Sequence, residues 1–264
     1  MFDALFTTTT EYKKLSHALS GKGACALFGL PASGRVQVYA ALCRQLDKPL
    51  CIVTPGEAEA TRFAADLNTL GIPAAVFPAR DYVLRPIEGT AREYEYRRLA
   101  VLGELVGGRL RAVAVPAEAL TQFTTPKEDF CANTRTLHAG DTLLRDDLLA
   151  ALFGAGYTRR AQVDGPGQFS VRGDIVDIFA PDQKMPVRME FWGDEIDTLH
   201  TFDLTTQRRE DAIDKFYLSP AREVLFGKPA DAAEQLRAFL AKQRGKKKTA
   251  MADCMAADLD LLDG

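Results

Sequence analysis

The chain has 264 residues, 47% of them apolar, enough for about one to three globular domains with buried cores. A formal net charge of −3 argues against a dedicated nucleic-acid binder that works by neutralising phosphates. No stretch approaches the roughly 18 consecutive apolar residues of a membrane span, and Met1 to Ser20 lacks a basic start followed by an apolar run, so a cytoplasmic protein is expected.

In chain order, the first informative stretch is Gly29-Leu30-Pro31-Ala32-Ser33-Gly34-Arg35-Val36. Gly29 and Gly34 keep the spacing of a phosphate-binding loop, which needs backbone N–H donors, a lysine ammonium for the phosphates and a hydroxyl for magnesium. Pro31 deletes one donor, Arg35 replaces the compact ammonium with a planar guanidinium, and Val36 has no hydroxyl. The stretch reads as a nucleotide loop that has lost its function, or as an ordinary strand-to-helix turn with two glycines.

Around it, apolar strand-like runs at Cys25 to Gly29, Leu50 to Thr54, Ala74 to Phe77 and Ala112 to Val115 alternate with helical patterns at 36–46, 57–70 and 91–106. Such alternation predicts a parallel sheet flanked by helices over residues 1–125. Arg92, Arg97 and Arg98 interleave with Tyr94 and Tyr96, a pattern suited to stacking bases, but Glu93 and Glu95 dilute it and favour a solvated helix face.

Near Thr124-Thr125-Pro126 the rhythm changes to short strands and one clear helix, Arg145 to Phe153, which predicts a separate α+β domain over 126–219. Within it, Val187-Arg188-Met189-Glu190-Phe191-Trp192 alternates strictly. Val187, Met189 and Phe191 take a core face, while Arg188, Glu190 and the chain's single tryptophan take the other. Gly193-Asp194 supplies hairpin-turn chemistry, with Glu195 to Phe202 as the returning strand. Phe169-Ser170-Val171-Arg172 splits the same way and adds Arg172 to the outward face. Arginine and tryptophan on an open sheet face are binding hot-spot residue types. The competing reading packs Trp192 under a helix and pairs Arg188 with Glu190 as a weak surface ion pair.

Residues 220–264 contain two further helical patterns, Ala230 to Lys242 and Met251 to Leu262, with Lys246-Lys247-Lys248 between them as a solvated loop. With no strand after them, this section reads as the start of a return segment of a longer protein. Cys25, Cys43, Cys51, Cys131 and Cys254 form no C-x-x-C pair and are expected to be reduced. His17, His138 and His200 have no ligand spacing, so no metal is expected.

Three blocks carry a family resemblance: Tyr157-Thr158-Arg159, Gly167 to Phe179 (GQFSVRGDIVDIF), and Arg188 to Asp197 (RMEFWGDEID). They resemble domain 2 shared by the nucleotide-excision-repair protein UvrB and the coupling factor Mfd, and the resemblance extends over nearly the whole chain. The phosphate-loop stretch falls on the Mfd side, because UvrB resembles a working helicase with Gly-Lys-Thr. Asp81 to Glu88 is likewise too short and too poor in aromatics for UvrB's DNA-clamping hairpin.

The resemblance implies a P-loop-type α/β domain without ATP chemistry (1–125), an inserted UvrA-binding α+β domain (126–219) and the start of a return segment (220–264). It implies UvrA contacts at Arg172, Arg188, Glu190 and Trp192, with Arg159 matching a further UvrB contact. Trp192 stands where the family usually has phenylalanine, and Ser170 replaces a UvrB arginine. The module is expected to be a non-catalytic recruiter with no cofactor. Mg-ATP, RNA polymerase and DNA would be engaged by regions of the parent protein that are not in this chain, and direct DNA binding would be weak. The alternative is a fragment of a UvrB-type ATP-dependent enzyme; a face that docks on its own polypeptide is the blander reading.

Overall fold

The computed structural model describes residues 7–21, 24–80, 92–225, 234 and 236–241. The chain divides into two compact units, one formed by residues 1–80 with 101–123 and the other by 81–100 with 124–264. Of the expectations above, the segment Asp81 to Glu88, the lysine run at 246–248 and the helix at Met251 to Leu262 lie outside the described residues. The helix expected at Ala230 to Lys242 is described only at 234 and 236–241, which are helical.

The first unit contains α1 (Thr10–Ser20), α2 (Ala32–Gln45), β1 (Leu50–Thr54), α3 (Glu57–Thr69) and β2 (Ala74–Val76). The end of α4 (Glu93–Val106), β3 (Ala112–Pro116) and α5 (Ala117–Leu120) complete it. Its three strands are all parallel, in the order β1-β3-β2. β3 is buried along its whole length, as its unbroken apolar run requires of a central parallel strand. The core joins Val36, Ala40 and Cys43 of α2 to Phe63 and Leu67 of α3, over Ile52 and Ala112 of the sheet. Helix α1 is capped by Thr9, whose Oγ1 accepts from the Tyr12 N–H, and packs Tyr12 and Leu15 on Val38, Ala41 and Leu42.

One expected strand is missing. Residues 24–30 form no strand, and Leu27 and Phe28 are exposed, Phe28 at 88%. An apolar run becomes a strand only by hydrogen bonding to a sheet edge, and the strand paired with β1 is β3. Apolar composition without periodicity does not supply that partner.

The second unit contains α6 (Lys127–Ala132), a short helix the sequence reading did not anticipate, then β4 (Arg135–His138), α7 (Arg145–Gly154), β5 (Thr158–Arg159) and β6 (Gln168–Arg172). There follow β7 (Ile175–Phe179), β8 (Val187–Trp192), β9 (Glu195–Phe202), β10 (Arg209–Ala212) and β11 (Lys215–Leu218). Strands β10-β9-β8-β7-β6-β5 form one sheet, antiparallel except for β5 beside β6, and β11 pairs with β4 separately. The turns of the β6–β7 and β8–β9 hairpins carry Gly173 at φ 60° and Gly193 at φ 62°, left-handed conformations that glycine adopts without penalty. One face of the large sheet buries Phe169, Val176, Ile178, Val187, Met189, Phe191, Ile196 and Leu199 under Leu148 and Leu152 of α7 and Leu137, Phe216 and Leu218 of the β4–β11 pair. This is the parity predicted for β8.

Arg98 departs from expectation. It is fully buried rather than on a solvated face. Its Nε donates to both carboxylate oxygens of Glu223 at 3.0 and 2.9 Å, and Nη2 donates to Oε1 at 2.7 Å. The Glu223 N–H donates to Glu95 Oε1 at 2.9 Å, and the Thr125 hydroxyl donates to the Glu223 carbonyl. Thr125, Glu95 and Arg98, all in the second unit, are thus joined to Glu223 within it. The partner lies 125 residues away, which no local pattern could have revealed.

Candidate protein-interaction face

The second face of the large sheet begins as a row of polar residues in direct cross-strand register: Ser170 opposite Asp177, Asp177 opposite Arg188, Arg188 opposite His200. Arg172, two residues along β6 from Ser170, and Glu190 and Trp192, further along β8, share this face. Part of it is not open. Phe179 and Phe202 pack with Val163 and Leu204 into a small second cluster.

Arg188 sits against that cluster, its guanidinium carbon 4.7 Å from the centre of the Phe202 ring. Its Nε donates to Asp177 Oδ1 at 2.7 Å, Nη2 donates to Oδ2 at 2.9 Å, and Nη1 donates to the Gln207 carbonyl at 3.2 Å. Only 12% of the Arg188 side chain is exposed. The hydrogen bonds to Asp177 push its pKa above the ordinary guanidinium value, outweighing burial, which acts the other way.

Asp177 is fully buried, and its Oδ2 also accepts from Arg172 Nη2 at 2.7 Å. The Arg172 side chain is 49% exposed. Two guanidinium charges against one carboxylate leave this group net positive. The Arg188–Glu190 ion pair of the competing reading does not form. Glu190 instead accepts from Arg209 Nη2 on β10 and from the Thr198 hydroxyl at 3.3 Å. Trp192 is 80% exposed, which overturns the reading that packs it under a helix. It stands at the end of β8, beside the Gly193-Asp194 turn.

Of the five candidate contact residues, Arg172, Arg188, Glu190 and Trp192 therefore share one face. Arg159 is exposed on β5 but pairs with Phe169, a register position of the opposite, core face.

Residues 136–224 match the UvrB interaction domain. Over 208 residues, 75% of its length, the chain is 35% identical to the transcription-repair-coupling factor of Myxococcus xanthus, covering 17% of that protein. Similar matches are to the factor of Mycobacterium tuberculosis (38% over 192 residues, 70% of this chain and 15% of the relative) and of Bacillus subtilis (28% over 226 residues, 84% and 19%). The chain is a homologue of the transcription-repair-coupling factors. It spans less than a fifth of the length of these relatives.

Two residues of the interaction domain were missed at the sequence level. Asp177 reads there as an ordinary polar position of β7, although its parity between Val176 and Ile178 is the signal that would have placed it opposite Arg188. Arg209 lies on an edge strand whose four residues are all exposed, and nothing in REDA advertises a partner on β8.

In the first unit, Gly29 takes φ 81°, Pro31 is the N-cap of α2, and the helix already begins at Ala32, inside the loop-like spacing. Arg35 reaches toward Glu59 at 3.9 Å, while Val36 is buried in the core. Among the described residues, no helix is long and apolar enough to cross a membrane, and no group of three or more His, Cys, Asp or Glu is placed to hold a metal ion.

Proposed function

We propose that the polar face of the large sheet binds UvrA, and that the chain is a non-catalytic recruitment module of a transcription-coupled repair factor. The observation that carries this reading is the placement of a largely exposed Trp192 and a half-exposed Arg172 on one face of a domain that matches the UvrB interaction domain. An exposed aromatic offers an apolar anchor, and a guanidinium with free donors offers oriented bonds to carboxylates.

The first unit is read as a P-loop-type domain whose nucleotide site is lost. Its support is geometric. Helix α2 starts within the motif, Arg35 turns toward Glu59, and Val36 is spent on the core, so a hydroxyl there would be buried away from any magnesium. Mg-ATP, DNA and RNA polymerase are therefore assigned to other regions of the parent protein.

The test is calorimetry of the chain with UvrA from the same organism, and separately with Mg-ATP. Saturable binding of UvrA that is weakened by about 2 kcal/mol or more on Trp192→Ala, with no heat from Mg-ATP, is the expected result. Micromolar ATP binding would favour the UvrB-type enzyme, and no UvrA binding would remove the recruitment reading.

A further inference from the structure

The two arginines of the face are not equivalent, and the reason is Asp177. Arg188 gives Nε and Nη2 to that carboxylate and Nη1 to a backbone carbonyl, and lies on Phe202, so its fork is largely consumed inside the domain. Arg172 gives a single Nη2 bond to the same carboxylate and keeps the rest of its fork toward solvent.

The backbone that receives Arg188 is itself built for the purpose. Asp203 Oδ1 accepts from the N–H groups of Thr205 and Thr206 and from the Thr206 hydroxyl, closing the turn before β10. That turn leaves Gln207 with φ 59°, a left-handed conformation unusual for a non-glycine residue, and its carbonyl on Arg188 Nη1.

We propose that Asp177 is a positioning residue for partner binding, fixing Arg188 as an internal strut and aiming Arg172 outward as the guanidinium that meets an acidic group of the partner. The proposal rests on the UvrA reading above and refines it. A buried carboxylate that never touches the partner sets which arginine does. The net positive charge of the three-residue group selects a carboxylate-bearing surface, and Trp192 supplies apolar contact on the same face.

The experiment is a binding cycle on the full chain with UvrA, using Arg172→Ala, Asp177→Asn and the double variant, with folding followed by circular dichroism. Asp177→Asn keeps the shape and one acceptor but removes the charge that holds both guanidinium groups. Arg172→Ala is expected to weaken binding by at least about tenfold in the native background. In the Asp177→Asn background, already weakened, the same truncation is expected to cost about threefold or less, since Arg172 is no longer aimed.

Equal losses in both backgrounds, or a folded Asp177→Asn chain that binds as well as wild type, would overturn the proposal while leaving UvrA binding intact. Failure of the wild-type chain to bind UvrA would instead overturn the reading beneath it. Should Asp177→Asn not fold, arginine Nε–H exchange in the free wild-type chain decides, read together with Arg172→Ala binding. Slow exchange at Arg188 and fast exchange at Arg172 are expected. Matching rates, or a folded Arg172→Ala chain with undiminished affinity, would refute the assignment.

Discussion

Arg98 and Glu223 are both fully buried and bond to each other, whereas the buried Asp177 carboxylate is shared by two arginines that reach solvent to different degrees, Arg188 at 12% and Arg172 at 49%. The chemistry is the same; the exposure is not. A pair buried on both sides presents nothing to a partner and holds α4, Thr125 and the 221–225 segment together. In the two-to-one group Arg172 gives one bond to Asp177 and stays half-exposed, and on the proposed reading it is this guanidinium that a partner engages. Buried ion pairs are costly to break and add little over an apolar substitute, so the first site fixes geometry, and on the proposed reading the second adds recognition.

The comparison predicts a graded series. The largest effect is expected for Arg98→Ala, which takes three hydrogen bonds from the buried Glu223 carboxylate and should cost about 3–5 kcal/mol of stability in urea unfolding. A loss under about 1 kcal/mol would mean that water or another side chain reaches Glu223, and the contrast between the sites would collapse. Next comes Arg188→Ala, expected to cost about 1–3 kcal/mol, because Asp177 loses two of its three arginine hydrogen bonds but keeps Arg172 as a partner. The same truncation at Arg172 should change stability by less than about 0.5 kcal/mol. If these two arginines destabilise equally, the division between strut and contact is wrong.

Trp192→Ala sharpens the comparison from the other side. With 80% of its surface exposed, the side chain should leave the melting temperature near wild type, within about 0.5 kcal/mol, while UvrA affinity falls by about 2 kcal/mol or more. Marked unfolding without a change in residual affinity would place the anchor in the core instead.

The smallest effect concerns the turn behind Arg188. The backbone N–H and hydroxyl of Thr206 hold the Asp203 carboxyl below its usual range. Its stabilisation is fully present above the unfolded carboxyl value of about 3.9 and is lost as pH falls through the lower folded value. Asp203→Asn should therefore lower the melting temperature slightly at neutral pH, with the difference from wild type vanishing in strong acid. A difference that persists there would show that the charge is not what holds the turn.

The alternation of Val187 to Trp192 determined by itself which side chains of β8 enter the core, because successive residues of a strand point to opposite faces whatever the strand packs on. The Gly-Asp turns likewise determined the hairpins, since a left-handed residue is needed there and glycine supplies it. Strand and helix order from α2 to β3 was legible for the same local reasons, whereas the helices at Thr10–Ser20 and Ala117–Leu120 were not anticipated and the run at 25–29 formed no strand, since a strand needs an edge to pair with and an apolar run alone cannot guarantee one. What only the tertiary structure decided is who meets whom. Glu223 comes to Arg98 from 125 residues away, Arg209 takes Glu190 from Arg188, and Asp177 takes both Arg188 and Arg172, each because strand order and register, not sequence spacing, set the distances over which charges act.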